Sequence, residues 1–334
     1  MNKNNVKSLL SFEEQLNFLQ SKYINWNNQE KFRFKIYLIN YGYSHMVYKW
    51  KSFLTHKDRK NGWYFLKNVK SSNLIDLFNC DRTIGNLILS NIQNIEIKFQ
   101  NAILSSIQLY INSLNIDKEL KIELKATQIF KWKINSLFYI FKKIESNKNK
   151  QKFKDFINSL KNNFIKKSFK KIKDLHFWEI IRSTTFGQLI ELFNYLNNDI
   201  KSLVAIHFEK IINNLCINYY ELTSLMKIFK KIRNIICHND ILLNYELRTA
   251  NKKDYDYKNI ITFTKTNKIN LSISKNIKLS DIVKIISFFN DYNNKENKID
   301  KESLNDIFLK KVNLFINEDK FDSNVLENIK NKLF

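Results

Sequence analysis

Arg233, Asn234 and His238 fall within the run Ile232-Arg233-Asn234-Ile235-Ile236-Cys237-His238-Asn239-Asp240, the one compact polar constellation in this 334-residue chain. Histidine has an unperturbed pKa near 6.5, so it can take or give a proton near neutral pH, work worth about 10²–10⁴-fold in rate. Arginine stays charged and offers a planar fork of donors that matches phosphate oxygens. Together they suit cleavage of RNA by its own 2′-hydroxyl. That reaction needs a proton acceptor or donor and a preorganised cation where charge grows on the phosphate. Asn234 could orient either group or bond a phosphate oxygen. The plainer reading has Arg233 as a solvated surface residue and His238 as a helix C-terminal residue favoured by the helix dipole.

The element that must carry these residues is a helix beginning near Glu221. At about 100° per residue, Leu225, Ile228, Phe229, Ile232, Ile235 and Ile236 share one face. Lys227, Lys230, Lys231, Asn234 and His238 share the opposite arc, with Met226 and Cys237 as the two exceptions inside it. Arg233 and His238 bracket that arc, roughly 140° and 7.5 Å apart along the axis.

Other chemistries find no support. Glycines stand only at 42, 62, 85 and 187, too few and too scattered for a phosphate-cradling or dinucleotide fingerprint. The five histidines, 45, 56, 176, 207 and 238, form no i, i+4 pair, and there is no CxxC, so neither a metal site nor a cofactor is expected. Cys80, Cys216 and Cys237 are odd in number and scattered, which implies no disulfide framework and a reducing compartment.

The formal charge is +24, and only six of the 56 basic residues are arginine. Abundant Lys, Asn and Ile reflect in part an AT-rich coding bias, yet such a field still attracts polyanions. A nucleic acid is the partner this charge favours, ahead of an anionic membrane. Lys227, Lys230 and Lys231 on the motif helix are candidate RNA contacts. So are Lys166, Lys167, Lys170 and Lys171 in the basic stretch 161–173, whose plain reading is a solvated face. Tyr41, Tyr43, Tyr48 and Trp50 could stack bases, against the plainer reading of core or interface packing. The opening MNKNNVKSLLSFEEQ has no apolar core or small-residue cleavage site, and no run approaches membrane-span length. A soluble cytoplasmic protein is therefore expected.

Helix dominates the pattern. Ser11-Phe-Glu-Glu14 is a capping box. Residues 31–53 are aromatic, with Gly42 as a break. A long amphipathic helix is predicted over 73–114, where apolar residues recur at three and four. Further helices are predicted over 119–145, 155–173, 175–197 and 199–239, with the polar segment 146–154 as a linker. Ile261–Thr264 and Ile269–Ile273 alternate apolar and polar, predicting a β-hairpin near 260–274. The tail from Leu279 returns to helix. The reading is an all-α protein with one small hairpin. Residues 1–248 form a helical core carrying the motif, and 249–334 supply the hairpin and C-terminal helices packed on it.

Five segments in order resemble the Abi-like abortive-infection family of bacteria, AbiD/AbiF type, within the HEPN superfamily. LSFEEQLNFLQSKYI (10–24) is similar to its opening helix and NYGYSHMVYKWKSFL (40–54) to its aromatic second segment. LFNCDRTIGNLILSNIQNIEIKFQNAI (77–103) is similar to its long helix, with Asp81, Arg82 and Glu96 in matching places. FWEIIRSTTFGQLIELFNYL (177–196) matches at Trp178, Glu179, Phe186 and Gly187. IRNIICHNDILLN (232–244) carries the RN-x-x-x-H motif at Arg233, Asn234 and His238, with Asn244 in register. The chain departs at Asn239, where the family often has a second His, and at Ile241 and Leu243, where it often has Arg and Trp.

The resemblance covers roughly 10–320 and implies a helical HEPN-type bundle. It implies a metal-independent endoribonuclease toxin of antiphage defence, leaving a 2′,3′-cyclic phosphate and a 5′-hydroxyl. Arg233 and His238 would be the chemical pair, with Asn234 and Asn239 beside them; Asp81, Arg82 and Glu96, at polar positions of the long helix, could support them, against a structural ion pair or a capped helix start. It also implies a homodimer bringing two motif helices to one cleft, and a possible structured non-coding RNA as a bound partner. The competing reading is a non-catalytic RNA-binding module in which the motif only grips phosphate.

Overall fold

The structure is a computed structural model. It describes residues 10–24, 26–58, 62–66, 69–114, 140–141, 147–167, 177–212, 215–243, 245–247, 255–271, 276–290, 303–316 and 323–333. The longest element, α4 (Ser71–Ser113, 43 residues), fulfils the predicted periodicity. Leu74, Leu77, Phe78, Asp81, Ile84, Gly85, Ile88, Ile92, Ile95, Phe99, Ile103 and Ile107 are all buried, one stripe along about 64 Å of helix.

Before α4 come α1 (Phe12–Ser21), α2 (Asn28–Met46), a 3₁₀ turn (Tyr48–Trp50), α3 (Lys51–Leu54) and the strands β1 (Thr55–Asp58) and β2 (Gly62–Phe65). The capping box of α1 forms as expected, Ser11 Oγ accepting from the Glu14 amide at 3.3 Å while Glu14 accepts from the Ser11 amide at 2.7 Å. Gly42, at φ 76°, breaks α2 where the sequence placed the breaker.

After α4 the chain forms α5 (Asn147–Lys167), α6 (Phe177–Ser183), α7 (Phe186–Tyr195), α8 (Asn198–Ile211) and α9 (Tyr219–Cys237). Then follow β3 (Glu246–Leu247), α10 (Tyr255–Thr266), β4 (Ile277–Lys278), α11 (Leu279–Asn290), α12 (Leu304–Ile316) and α13 (Ser323–Leu333). Helices α2, α8, α9, α11 and α12 pack around α4. Their phenylalanines share the centre of one core. Phe289 of α11 meets Phe229 of α9, Phe263 of α10 and Phe208 of α8 at centroid distances of 5.8, 5.9 and 6.0 Å.

The fold is mainly α-helical with small two-stranded sheets, as read from the sequence, but the hairpin lies elsewhere. Ile261–Thr264 belong to α10, because Ile260, Phe263 and Thr264 at helical spacing are the residues that bury. The hairpin is β1–β2, with Thr55 opposite Phe65, and a second pair joins β3 to β4. The predicted linker 146–154 is corrected too, since α5 begins at Asn147. Phe153, Phe156 and Leu160 give that helix an apolar stripe, and Phe153 packs 4.9 Å from both Phe141 and Tyr195.

The segment 175–197 divides at a capping box between Thr185 and Gln188, and 199–239 divides at one between Asn218 and Glu221. Most of the helix predicted over 119–145 lies outside the described residues.

Candidate active site

The motif helix α9 buries Leu225, Ile228, Phe229, Ile232 and Ile236, the face the spacing predicts, and also Met226. At Gly85, α4 passes close by: a Cβ there would stand 3.4 Å from Ile236 Cγ2. Helix α9 ends in a Schellman motif. His238 is its C-cap residue, and Asn239 follows with φ 54°. The Asn239 and Asp240 amides donate to the carbonyls of Ile236 (3.1 Å) and Ile235 (2.9 Å). Asparagine is among the few non-glycine residues that tolerate this left-handed position. The cap holds His238 exposed at the helix end.

Two residues of α4 fix that end. Asp81 is fully buried, and its Oδ1 accepts from the amides of both Leu242 and Leu243 at 2.8 Å. Its other oxygen pairs with Arg82. Burial raises the Asp81 pKa, opposed by the Leu243 and Leu242 amides and by the Arg82 charge. Arg82 also donates from Nη1 to Asn239 Oδ1 at 2.8 Å and from Nη2 to the Asp240 carbonyl at 2.6 Å. Lys49, from the 3₁₀ turn, donates to the Asn239 carbonyl at 3.3 Å and pairs with the Asp240 carboxylate.

Further along α4, Glu96 Oε2 lies 3.6 Å from Arg233 Nε. Burial raises the Glu96 pKa and the Arg233 charge opposes it. Arg233 is half-buried and Asn234 exposed.

The structure thus joins Asp81, Arg82 and Asn239 at the turn after His238, pairs Glu96 with Arg233 separately along the same two helices, and adds Lys49 at the turn, which sequence reasoning missed. No local spacing points to Lys49, because its partners lie about 190 positions away. The lysines fare differently. Lys227 pairs with Asp256 of α10 at 3.0 Å. Lys230 lies over Gly187 and Lys231 over the Tyr245 ring at 5.5 Å. Lys166 and Lys167 end α5, while Lys170, Lys171 and Asn244 lie outside the described residues. Trp50 is buried core and Tyr43 is half-buried, its phenol pushed up to about 12 by burial. Tyr41 is exposed but packs 4.6 Å from Phe78.

Residues 36–244 match the family described as Abi-like protein. The match spans α2 through the loop anchored on Asp81, and with it the whole of the constellation just described.

The chain belongs to the Abi-like protein family.

No curated protein and no solved structure matches it. Among the described residues, no helix of this Abi-like protein is long and apolar enough to cross a membrane. Among them, too, no cluster of three His, Cys, Asp or Glu could hold a metal ion.

Proposed function

We propose that this Abi-like protein is a metal-independent endoribonuclease of the HEPN type, a cytoplasmic toxin acting in abortive infection. The observation that carries the reading is the frame around the motif. Asp81, Arg82 and Lys49 fix the turn that holds His238, and Glu96 steadies Arg233 on the same helix. Preorganisation of this kind lets a cation and an imidazole act on a phosphate without reorganising at the moment of reaction.

The 2′-hydroxyl attacks phosphorus, forming the P–O2′ bond as the P–O5′ bond breaks, and yields a 2′,3′-cyclic phosphate and a 5′-hydroxyl. His238 moves the proton, taking it from the 2′-hydroxyl or giving it to the 5′-oxygen. In a two-fold homodimer a second copy supplies the complementary imidazole. Arg233 stabilises the charge on the phosphate oxygens. The net charge of +24 favours the polyanionic substrate.

The test is RNA cleavage in EDTA by the wild-type chain and His238→Ala, with end-group analysis. Cyclic-phosphate ends from the wild type alone are expected. No cleavage by either, with tight RNA binding by both, would replace this reading by a non-catalytic module that holds a structured RNA.

A further inference from the structure

Tyr23 has φ 70°, a left-handed conformation that bulky side chains adopt at a cost. It closes α1 in the position usually given to glycine. Its amide donates to Gln20 O at 3.1 Å, and the Ile24 amide donates to Leu19 O at 3.4 Å. Tyr23 as a residue is 65 % exposed, and its ring lies 5.1 Å from Tyr64 on β2. The Phe65 amide donates to Lys22 O at 3.1 Å and ties the hairpin to this end of α1.

Lysines alternate with the rings. Lys22 Nζ is 4.4 Å from the Tyr64 centroid and 5.9 Å from that of Trp63. Lys51 Nζ is 3.7 Å from the Trp63 centroid and 4.8 Å from that of Tyr48, a residue 64 % exposed. Burial and the neighbouring Lys22 charge both lower the Lys51 pKa. An anion between the two ammonium groups would relieve that repulsion. Tyr48 precedes Lys49, the residue bonded to the turn after His238, so this surface borders the candidate active site.

We propose that α1, the 3₁₀ turn and the hairpin form a binding platform for single-stranded RNA. Unpaired bases stack on Tyr23, Tyr64 and Tyr48, and Lys22 and Lys51 take phosphates. Stacking of this kind is open to any base that is not already paired, and a duplex does not offer it. Lysine is depleted from the cores of protein interfaces, whereas here it stands among the rings. The ligand is the RNA of the function proposed above, and in that the platform rests on it, but binding here requires no cleavage.

The test uses the full chain carrying His238→Ala, so that RNA stays intact. Its probes are a 12-nucleotide mixed-sequence RNA, single-stranded and annealed to its complement, titrated at several salt concentrations. Tyr23→Gly relaxes the backbone, so it should fold at least as stably while binding single strands about fivefold or more weakly. Its salt dependence and duplex affinity should not change. Lys22→Gln and Lys51→Gln should each lower the salt slope by about 0.7.

Unchanged single-strand affinity in Tyr23→Gly and in the Tyr23→Gly/Tyr48→Ser double variant overturns the proposal. So does loss of self-association or of anionic-vesicle binding with RNA affinity intact, since the patch would then be a protein or lipid surface. A wild type that binds RNA through these rings without cutting it removes the ribonuclease reading and leaves the platform. One that cuts RNA while the ring variants bind normally does the reverse.

Discussion

Arg82 Nη1 donates to the side-chain oxygen of Asn239 at 2.8 Å, across 157 positions of sequence, and so fixes the residue that follows the candidate catalytic imidazole. Asn239 therefore has two roles, one in the backbone and one in the side chain, and they can be separated. Asn239→Gly satisfies the left-handed φ of 54° and loses only the Arg82 bond. Its urea stability should stay within about 1 kcal/mol of wild type while RNA cleavage falls about tenfold, a barrier change of about 1.4 kcal/mol. Asn239→Ala should lose the same activity and in addition about 1–2 kcal/mol of stability.

Asp81 is a structural anchor more than a chemical group. Asp81→Ala leaves the Leu242 and Leu243 amides buried without their acceptor and should cost about 3 kcal/mol or more in urea unfolding. Asp81→Asn keeps an oxygen where those amides point and should cost less than half as much. Equal losses in the two variants would show that the carboxylate charge, not the acceptor, holds the loop.

Glu96 gives stability a defined dependence on pH. Its folded pKa is raised above about 4.5 by burial, so the folded state binds this proton more tightly than the unfolded chain. That contribution is fully present below the unfolded pKa and is lost as pH rises through the folded value. Asp81 has the same sign, so the comparison must be made by difference. Arg233→Ala removes the charge that opposes the shift. Its melting temperature should match wild type most closely near pH 4 and fall furthest behind near pH 7. Adding Glu96→Gln should abolish that extra slope.

The motif-helix lysines should differ in what they contribute to RNA binding. Lys227 is held by Asp256, so Lys227→Gln should leave the salt dependence of binding almost unchanged. Lys231 is exposed beside Tyr245, and Lys231→Gln should lower the slope of log affinity against log salt by about 0.7. Fluorescence anisotropy between 50 and 200 mM salt, roughly the range over which such slopes are read, checks both.

Local signals account for most of what the sequence made legible. The stripe of α4, the break at Gly42, the cap at Ser11 and the buried face of α9 each depend on residues within one or two helical turns. The misplaced hairpin shows where local reasoning fails. Ile261-Thr-Phe-Thr264 alternates like a strand, yet Ile260, Phe263 and Thr264 satisfy a helix equally well, and packing on α9 decides between them. In the sequence, Asn61-Gly62 ahead of Trp63, Tyr64 and Phe65 is a local signal for the hairpin that does form. At the site, Arg233 and His238 were visible because they are neighbours in sequence. The Lys49 contact was not, because only the folded chain brings it to Asp240.

The span of those contacts governs when the site can exist. Asp81 and its amide partner Leu243 are separated by 162 positions, so no nascent chain can close the frame until Leu243 has been made. At about 5–20 residues per second, Leu243 is added roughly 8–30 s after Asp81. Through that interval the ribosome carries α4 with its anchors exposed and no motif helix to hold. The pairing of distant segments then makes site closure a late folding event. If the proposed activity holds, the protein would in this way be made beside the translation machinery while still unable to act on RNA.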